Sequence, residues 1–197
     1  MDNSNDKHWL HRLGTLPVLF FLLFPVMAQT LPETALPRVV LIGDSIRLGY
    51  APLVAKRLIG KARIISPEAN GGDSANVLKN LDTWVIGEKP DLVHLNCGLH
   101  DLKLGKATGQ YQVPLAQYEE NLKQIVSRIR RESNARMVFA STTPIHDGRH
   151  AARGADFNRS EADVERYNKA ALAVMRSLGV PVHDLHWVVS QNDPERM

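Results

Sequence analysis

The sequence of 197 residues contains one cysteine, Cys97. A disulfide within the chain is therefore excluded, and apolar burial must hold the core together. Cys97 falls in an apolar strand pattern and reads as a small packing residue rather than a reactive thiol. Charge of one sign is scarce as well: 24 Lys and Arg stand against 21 Asp and Glu. The densest basic run, Arg128, Arg130 and Arg131, sits beside Glu132 on a predicted helix. It reads as a solvated helix face, so no nucleic-acid partner is expected. Neither G-x-G-x-x-G nor G-x-x-x-x-G-K-[ST] occurs, which argues against nucleotide binding. The nucleophile elbow G-x-S-x-G is missing too. No His, Cys and Asp cluster has ligand spacing, so no metal and no cofactor are expected.

Long hydrophobic runs are nearly absent. One covers residues 16–27, about 12 residues, which is too short to span a bilayer well. Lys7 and Arg12 precede it, and Val26-Met27-Ala28 closes it. That order of charge, apolar core and small residue is a secretory signal peptide, with cleavage expected after Ala28 and a retained anchor as the alternative. The expected organisation is a leader over 1–28, a linker over 29–37 and one domain over 38–197. The mature chain is expected to be soluble, secreted or periplasmic, and free of the membrane once the leader is cleaved.

What is there is an alternation of strands and helices. Residues 38–43 form a β-branched apolar run ending at a glycine, a buried strand by pattern. Further strands are predicted over 62–66, 91–96, 136–140 and 180–185. Helices are predicted over 46–59, 74–86 and 115–129, the last with Leu115, Tyr118, Leu122, Ile125, Val126 and Ile129 in one stripe. A fourth opens at the capping box Ser160 and Asp163, with Tyr167, Ala171, Val174 and Met175 on its inner face. Residues 103–113 and 146–159 are polar, long for loops, and expected to border a site. Five strands and four helices imply an α/β fold, a three-layer α/β/α sandwich with a parallel five-stranded sheet in the flavodoxin-like order 2-1-3-4-5. Ligands of such sheets bind at the carboxyl ends of the strands, here strands one to three.

Strand one ends in Gly43-Asp44-Ser45 and a helix follows at once. A serine there projects from the positive end of a helix dipole, although helix capping alone would also explain it. Strand two is followed by Asn70-Gly-Gly-Asp-Ser74, where paired glycines form a turn or admit a ligand close to backbone N–H groups. Strand three ends in Asn96-Cys-Gly-Leu-His-Asp101, which sets an imidazole and a carboxylate beside the other two.

These residues together resemble the SGNH (GDSL-type) hydrolase family. Leu41-Ile-Gly-Asp-Ser45 is similar to its first block, and the resemblance makes Ser45 the nucleophile. Gly72 matches the second block, whose amide donates to the oxyanion. Gly98-Leu-His-Asp101 matches the third, with His100 where the family usually has asparagine. A neutral imidazole still donates one N–H, so the resemblance assigns His100 to the oxyanion hole. The last block, Asp-x-x-His, is expected after strand five, and nothing of that form stands there. Asp184 and His186 are only two apart. Asp91 and His94 have the spacing but lie inside strand three. Asp147-Gly-Arg-His150 has it in the loop after strand four, the wrong loop by chain order.

Two functions follow from the resemblance and stay open. One is a serine esterase acting on a small acyl ester or an acylated carbohydrate, through Ser45, Gly72 and His100. The other is an SGNH-like binding module, or a catalytically impaired relative, because the base block is not found. The chain as it stands is expected to be a poor esterase, with one sheet flank short of its covering helix.

Overall fold

The computed structural model describes residues 36–192. The segment read as a leader lies outside the described residues, as do the last five positions. Strand β1 (Arg38–Ile42) leads into helix α1 (Ser45–Arg57), followed by β2 (Arg63–Ile65), α2 (Ser74–Lys79) and α3 (Leu81–Trp84). Then come β3 (Leu92–Asn96), the short β4 (Leu104–Gly105), α4 (Leu115–Glu132) and β5 (Arg136–Ala140). The chain continues through α5 (Asp147–Ala151), β6 (Phe157–Asn158), α6 (Glu161–Ser177), β7 (Val182–His183) and α7 (Leu185–Ser190).

Five strands form one parallel sheet in the order β2-β1-β3-β5-β7. This is the predicted 2-1-3-4-5 order, since β4 and β6 form a separate antiparallel pair. Alternation along the strands decides the two faces. Val40, Ile42, Val93, Leu95 and Phe139 enter one core with Leu122, Ile125 and Ile129 of α4 and Tyr167, Ala171 and Met175 of α6. On the opposite face Leu41 pairs with His94, and His94 with Val138. There Tyr50 of α1 meets His94 edge-on with ring centroids 6.4 Å apart, so α1 covers this face. Towards the β7 edge the cover thins: His183, Val182, Trp187 and Val188 are exposed.

Three local expectations are corrected. The helix predicted over 74–86 breaks at Asn80, whose side-chain amide donates to the Asn76 backbone carbonyl at 2.9 Å and offers the backbone an alternative to a straight helix. The fifth strand shrinks to Val182–His183, because Asp184 turns aside to cap α7 by accepting the Trp187 N–H. The two polar loops are tied together by the β4–β6 pair, with the Lys106 N–H donating to the Asp156 carbonyl at 3.0 Å. Among the described residues no helix is long and apolar enough to cross a membrane.

Candidate active site

Only Gly43 and Asp44 separate the end of β1 from the start of helix α1. Asp44 is its cap, buried, with one carboxylate oxygen accepting the Ile46 N–H at 2.9 Å. Ser45 is the first helical residue and is exposed. Its hydroxyl therefore lies where unpaired amides and the helix dipole favour negative charge.

The strand ends behind Ser45 are bound by Arg47, a fully buried guanidinium. Arg47 donates to the Gly43 carbonyl at 3.0 Å, to Ser66 Oγ at 2.8 Å and to the Ala69 carbonyl at 2.6 Å. It joins the end of β1 to the loop after β2. Nothing in the apolar pattern of α1 marked it. The one available signal was a charged residue in the first turn of a helix that packs on a sheet. The Gly71 N–H also donates to the Gly43 carbonyl, at 3.0 Å. A Cβ on Gly71 would lie 2.6 Å from that oxygen, so glycine is required there. Gly72, at φ +63°, points its N–H at Asn70 Oδ1, 2.9 Å away. That amide is occupied by a local side chain and reaches a ligand only when Asn70 turns away.

The loop after β3 is tied down equally well. Asp101 is fully buried and accepts the Ser74 N–H at 2.9 Å and the Ser74 hydroxyl at 2.5 Å. Asn121 of α4 donates to Ser74 Oγ at 2.9 Å, closing a buried chain of three side chains. Burial pushes Asp101 up to about 6, against the lowering effect of the Ser74 hydrogen bonds. His100, on the same loop, sits partly buried with Nε2 4.0 Å from Asp44 Oδ2. Burial pulls its pKa below the ordinary value, with Lys103 and Arg159 adding to the fall and Asp44 opposing it. It is neutral at pH 7 and holds one N–H to donate.

The three strand ends thus lie together: Gly71 bonds Gly43, His100 faces Asp44, and Leu99 lines a cleft with Ser45. This cleft, about 290 Å³, is completed by the chain after β5, including Ile145 and His150. A larger hollow of about 480 Å³ lies by Asn168, Asp184 and His186; Ser45 lines the smaller cleft and not this one, while Gly72 and His100 line neither. The chemistry of the strand ends favours the smaller one.

The remaining Asp and His pairs separate clearly. Asp184 is the α7 cap and accepts the Ser141 hydroxyl at 2.8 Å, while His186 meets Glu161 at 2.6 Å instead. His94 lies within the sheet beside His183, and burial lowers it to about 4. Asp147 accepts the Glu161 N–H at 2.8 Å and does not orient His150. His150 is buried, and its Nε2 donates to the Phe157 carbonyl at 3.3 Å, which leaves Nδ1 unprotonated when the ring is neutral. The loop judged wrong by chain order is folded back onto the cleft of Ser45. Among the described residues, no group of three or more His, Cys, Asp or Glu is placed to hold a metal ion.

A parallel α/β sheet with a helix-terminal serine, a glycine loop and an imidazole at adjoining strand ends defines a hydrolase class. The family model for GDSL-like lipases and acylhydrolases matches residues 41–197, and the chain belongs to that family of ester-bond hydrolases. It is 29% identical over 173 residues to the isoamyl acetate-hydrolyzing esterase 1 homolog of Rattus norvegicus, covering 80% of this chain and 69% of the rat protein. The Mus musculus protein of the same name is 29% identical over 175 residues, covering 81% and 70%. Among solved structures, the lipase/acylhydrolase from Enterococcus faecalis superposes with a TM-score of 0.66 at 24% identity, covering 80% of each chain. The acetyl xylan esterase AlAXEase gives 0.63 at 17% identity, covering 76% of this chain and 78% of its own. Both structures share the fold.

Proposed function

We propose that this chain is a serine esterase of small acyl esters, with Ser45 as nucleophile. The observation that carries the reading is the exposed Ser45 hydroxyl at the start of α1, in one cleft with the loop of His100. Ser45 Oγ attacks the acyl carbonyl carbon and the carbonyl oxygen becomes negative. The amides of Ser45 and Gly72 and the N–H of neutral His100 donate to that oxygen, the Gly72 amide once Asn70 releases it. The alcohol leaves with a proton, and water then hydrolyses the acyl-serine. Among the described residues no side chain is hydrogen-bonded to Ser45 Oγ. His146 and His150 share its cleft. His146 Nδ1 caps α5 by accepting the Arg149 N–H. His150 is the candidate base, since its free nitrogen is basic and its other nitrogen is held.

Acetate esters are the substrates to try first, because the curated relatives are named for isoamyl acetate and one structural neighbour for acetyl xylan. An acetylated carbohydrate fits the proposal that residues 1–28 export the chain. N-terminal sequencing of the secreted protein should find Gln29 first, and a retained Met1 would contradict that export. The enzymatic test is p-nitrophenyl acetate hydrolysis. Ser45→Ala should remove at least about 10²-fold in kcat/KM, and His150→Ala about 10²–10⁴-fold. Equal rates for wild type and Ser45→Ala would contradict the nucleophile. Loss with Ser45→Ala but not with His150→Ala would move the base elsewhere.

A further inference from the structure

Resting on Ser45 as the reacting group, the cleft says more about what binds there. Its lining is strongly biased in charge. Arg149, Arg153, Arg159, His146 and His150 all border it, and among the described residues no Asp or Glu does. The whole chain carries nearly balanced charge, so this concentration is local. Two of the arginines make no ion pair among the described residues, Arg153 and Arg159. Arg159 goes further. Its Nε is buried with no hydrogen-bond partner, and its guanidinium lies 5.0 Å from the centre of the Phe157 ring. A buried guanidinium N–H without an acceptor is costly, and the cost falls when an anion arrives. The cation–π contact with Phe157 holds the guanidinium at this wall of the cleft.

We propose that the cleft selects esters carrying an anionic oxygen group, a carboxylate or a phosphate, held by Arg159 and Arg153 beside Ser45. Guanidinium groups bind both anions in the same forked manner, so the chemistry is shared. A half-ester of a dicarboxylic acid is then a better ligand than a neutral ester of equal length.

The test is binding, so that it reads independently of turnover. Affinities for monomethyl succinate, methyl phosphate and neutral methyl butyrate are measured by calorimetry on the full chain, as wild type and as Ser45→Ala. At least one charged probe should bind about tenfold or more tightly than methyl butyrate in both proteins. Which of the two does so distinguishes carboxylate from phosphate. Arg159→Lys and the exposed Arg153→Gln should each cut that preference at least about threefold, and moving from 0.05 to 0.5 M salt should erode it. Equal binding of all three probes overturns the inference, and so does a preference that both arginine variants retain. Should Ser45 prove not to be the nucleophile, the binding preference would still stand or fall on its own.

Discussion

The two walls of the Ser45 cleft are held in different ways. The wall made by the ends of β1, β2 and β3 is a buried lattice. Arg47 binds four backbone or hydroxyl oxygens, Asp101 binds Ser74 twice, and Asn121 completes the chain. The wall made by residues 144–159 is shallower, with His146, Arg149 and Arg153 exposed. A five-residue helix, a two-residue strand pair and the His150–Phe157 contact hold it. On the proposed mechanism the Ser45 amide and His100 of this wall are the oxyanion donors fixed before the reaction, and the Gly72 amide joins them once Asn70 releases it. Substrate choice and proton transfer tolerate, and often use, a more mobile surface. On the proposed mechanism the difference assigns rate to one wall and selectivity to the other.

The largest effect should come from the deep wall. His100→Ala should lower kcat for p-nitrophenyl acetate about 10²–10³-fold with little change in KM, as loss of one oxyanion donor does. His100→Asn should recover most of it, because an amide also donates one N–H in that direction. A rise in KM at constant kcat would instead make His100 a ground-state contact and blur the division between the walls.

Gly98→Ala probes how rigid the same wall is. Gly98 has φ +142°, and an added Cβ would lie 2.5 Å from Thr142 Oγ1 and 3.2 Å from the Tyr118 hydroxyl. Strain and overlap together should cost about 2–4 kcal/mol in urea unfolding. Gly154→Ala, on the shallow wall at φ +62° with no neighbour within 4 Å, should cost only about 1 kcal/mol. Equal costs would erase the contrast.

The deep wall also carries a pH dependence. Burial raises Asp101 from the ordinary 3.8 to about 6, so the native state holds its proton more tightly than the unfolded chain. Its contribution to stability is fully present below pH 3.8 and is lost as pH rises through about 6. His94, lowered to about 4, acts oppositely: its contribution is present above pH 6.5 and lost as pH falls towards 4. Unfolding free energy measured at pH 4 and 6 should therefore fall by about 2 kcal/mol more for wild type than for Asp101→Asn. The same slope in both proteins would place the titration elsewhere.

How far these walls could be read in advance follows the range of the interactions. The ends of β1, the α4 stripe and the Ser160 cap were legible because their causes are local: apolar period and a capping side chain. That the ends of β1, β2 and β3 lie side by side was legible one level up, because strand order in a parallel sheet brings those ends together. Arg47 was not, since its acceptors on Gly43, Ser66 and Ala69 meet only in the folded sheet. Nor was the return of 146–159 over Ser45, which depends on a pairing of β4 with β6 some fifty residues apart in the sequence, about the separation at which local pattern carries no information. The Asn70 bond to Gly72 was local and could have been read, because asparagine commonly turns back onto an amide two residues on.

Covalent trapping of the nucleophile tests the central claim most directly. The full chain is treated with a fluorophosphonate, and the adduct is located by intact mass and peptide mapping. The account predicts one adduct per chain, on Ser45, lost in Ser45→Ala and slowed in His100→Ala, since phosphonylation also develops charge on an oxygen facing the deep wall. An adduct on another serine, or one that persists undiminished in Ser45→Ala, would contradict it.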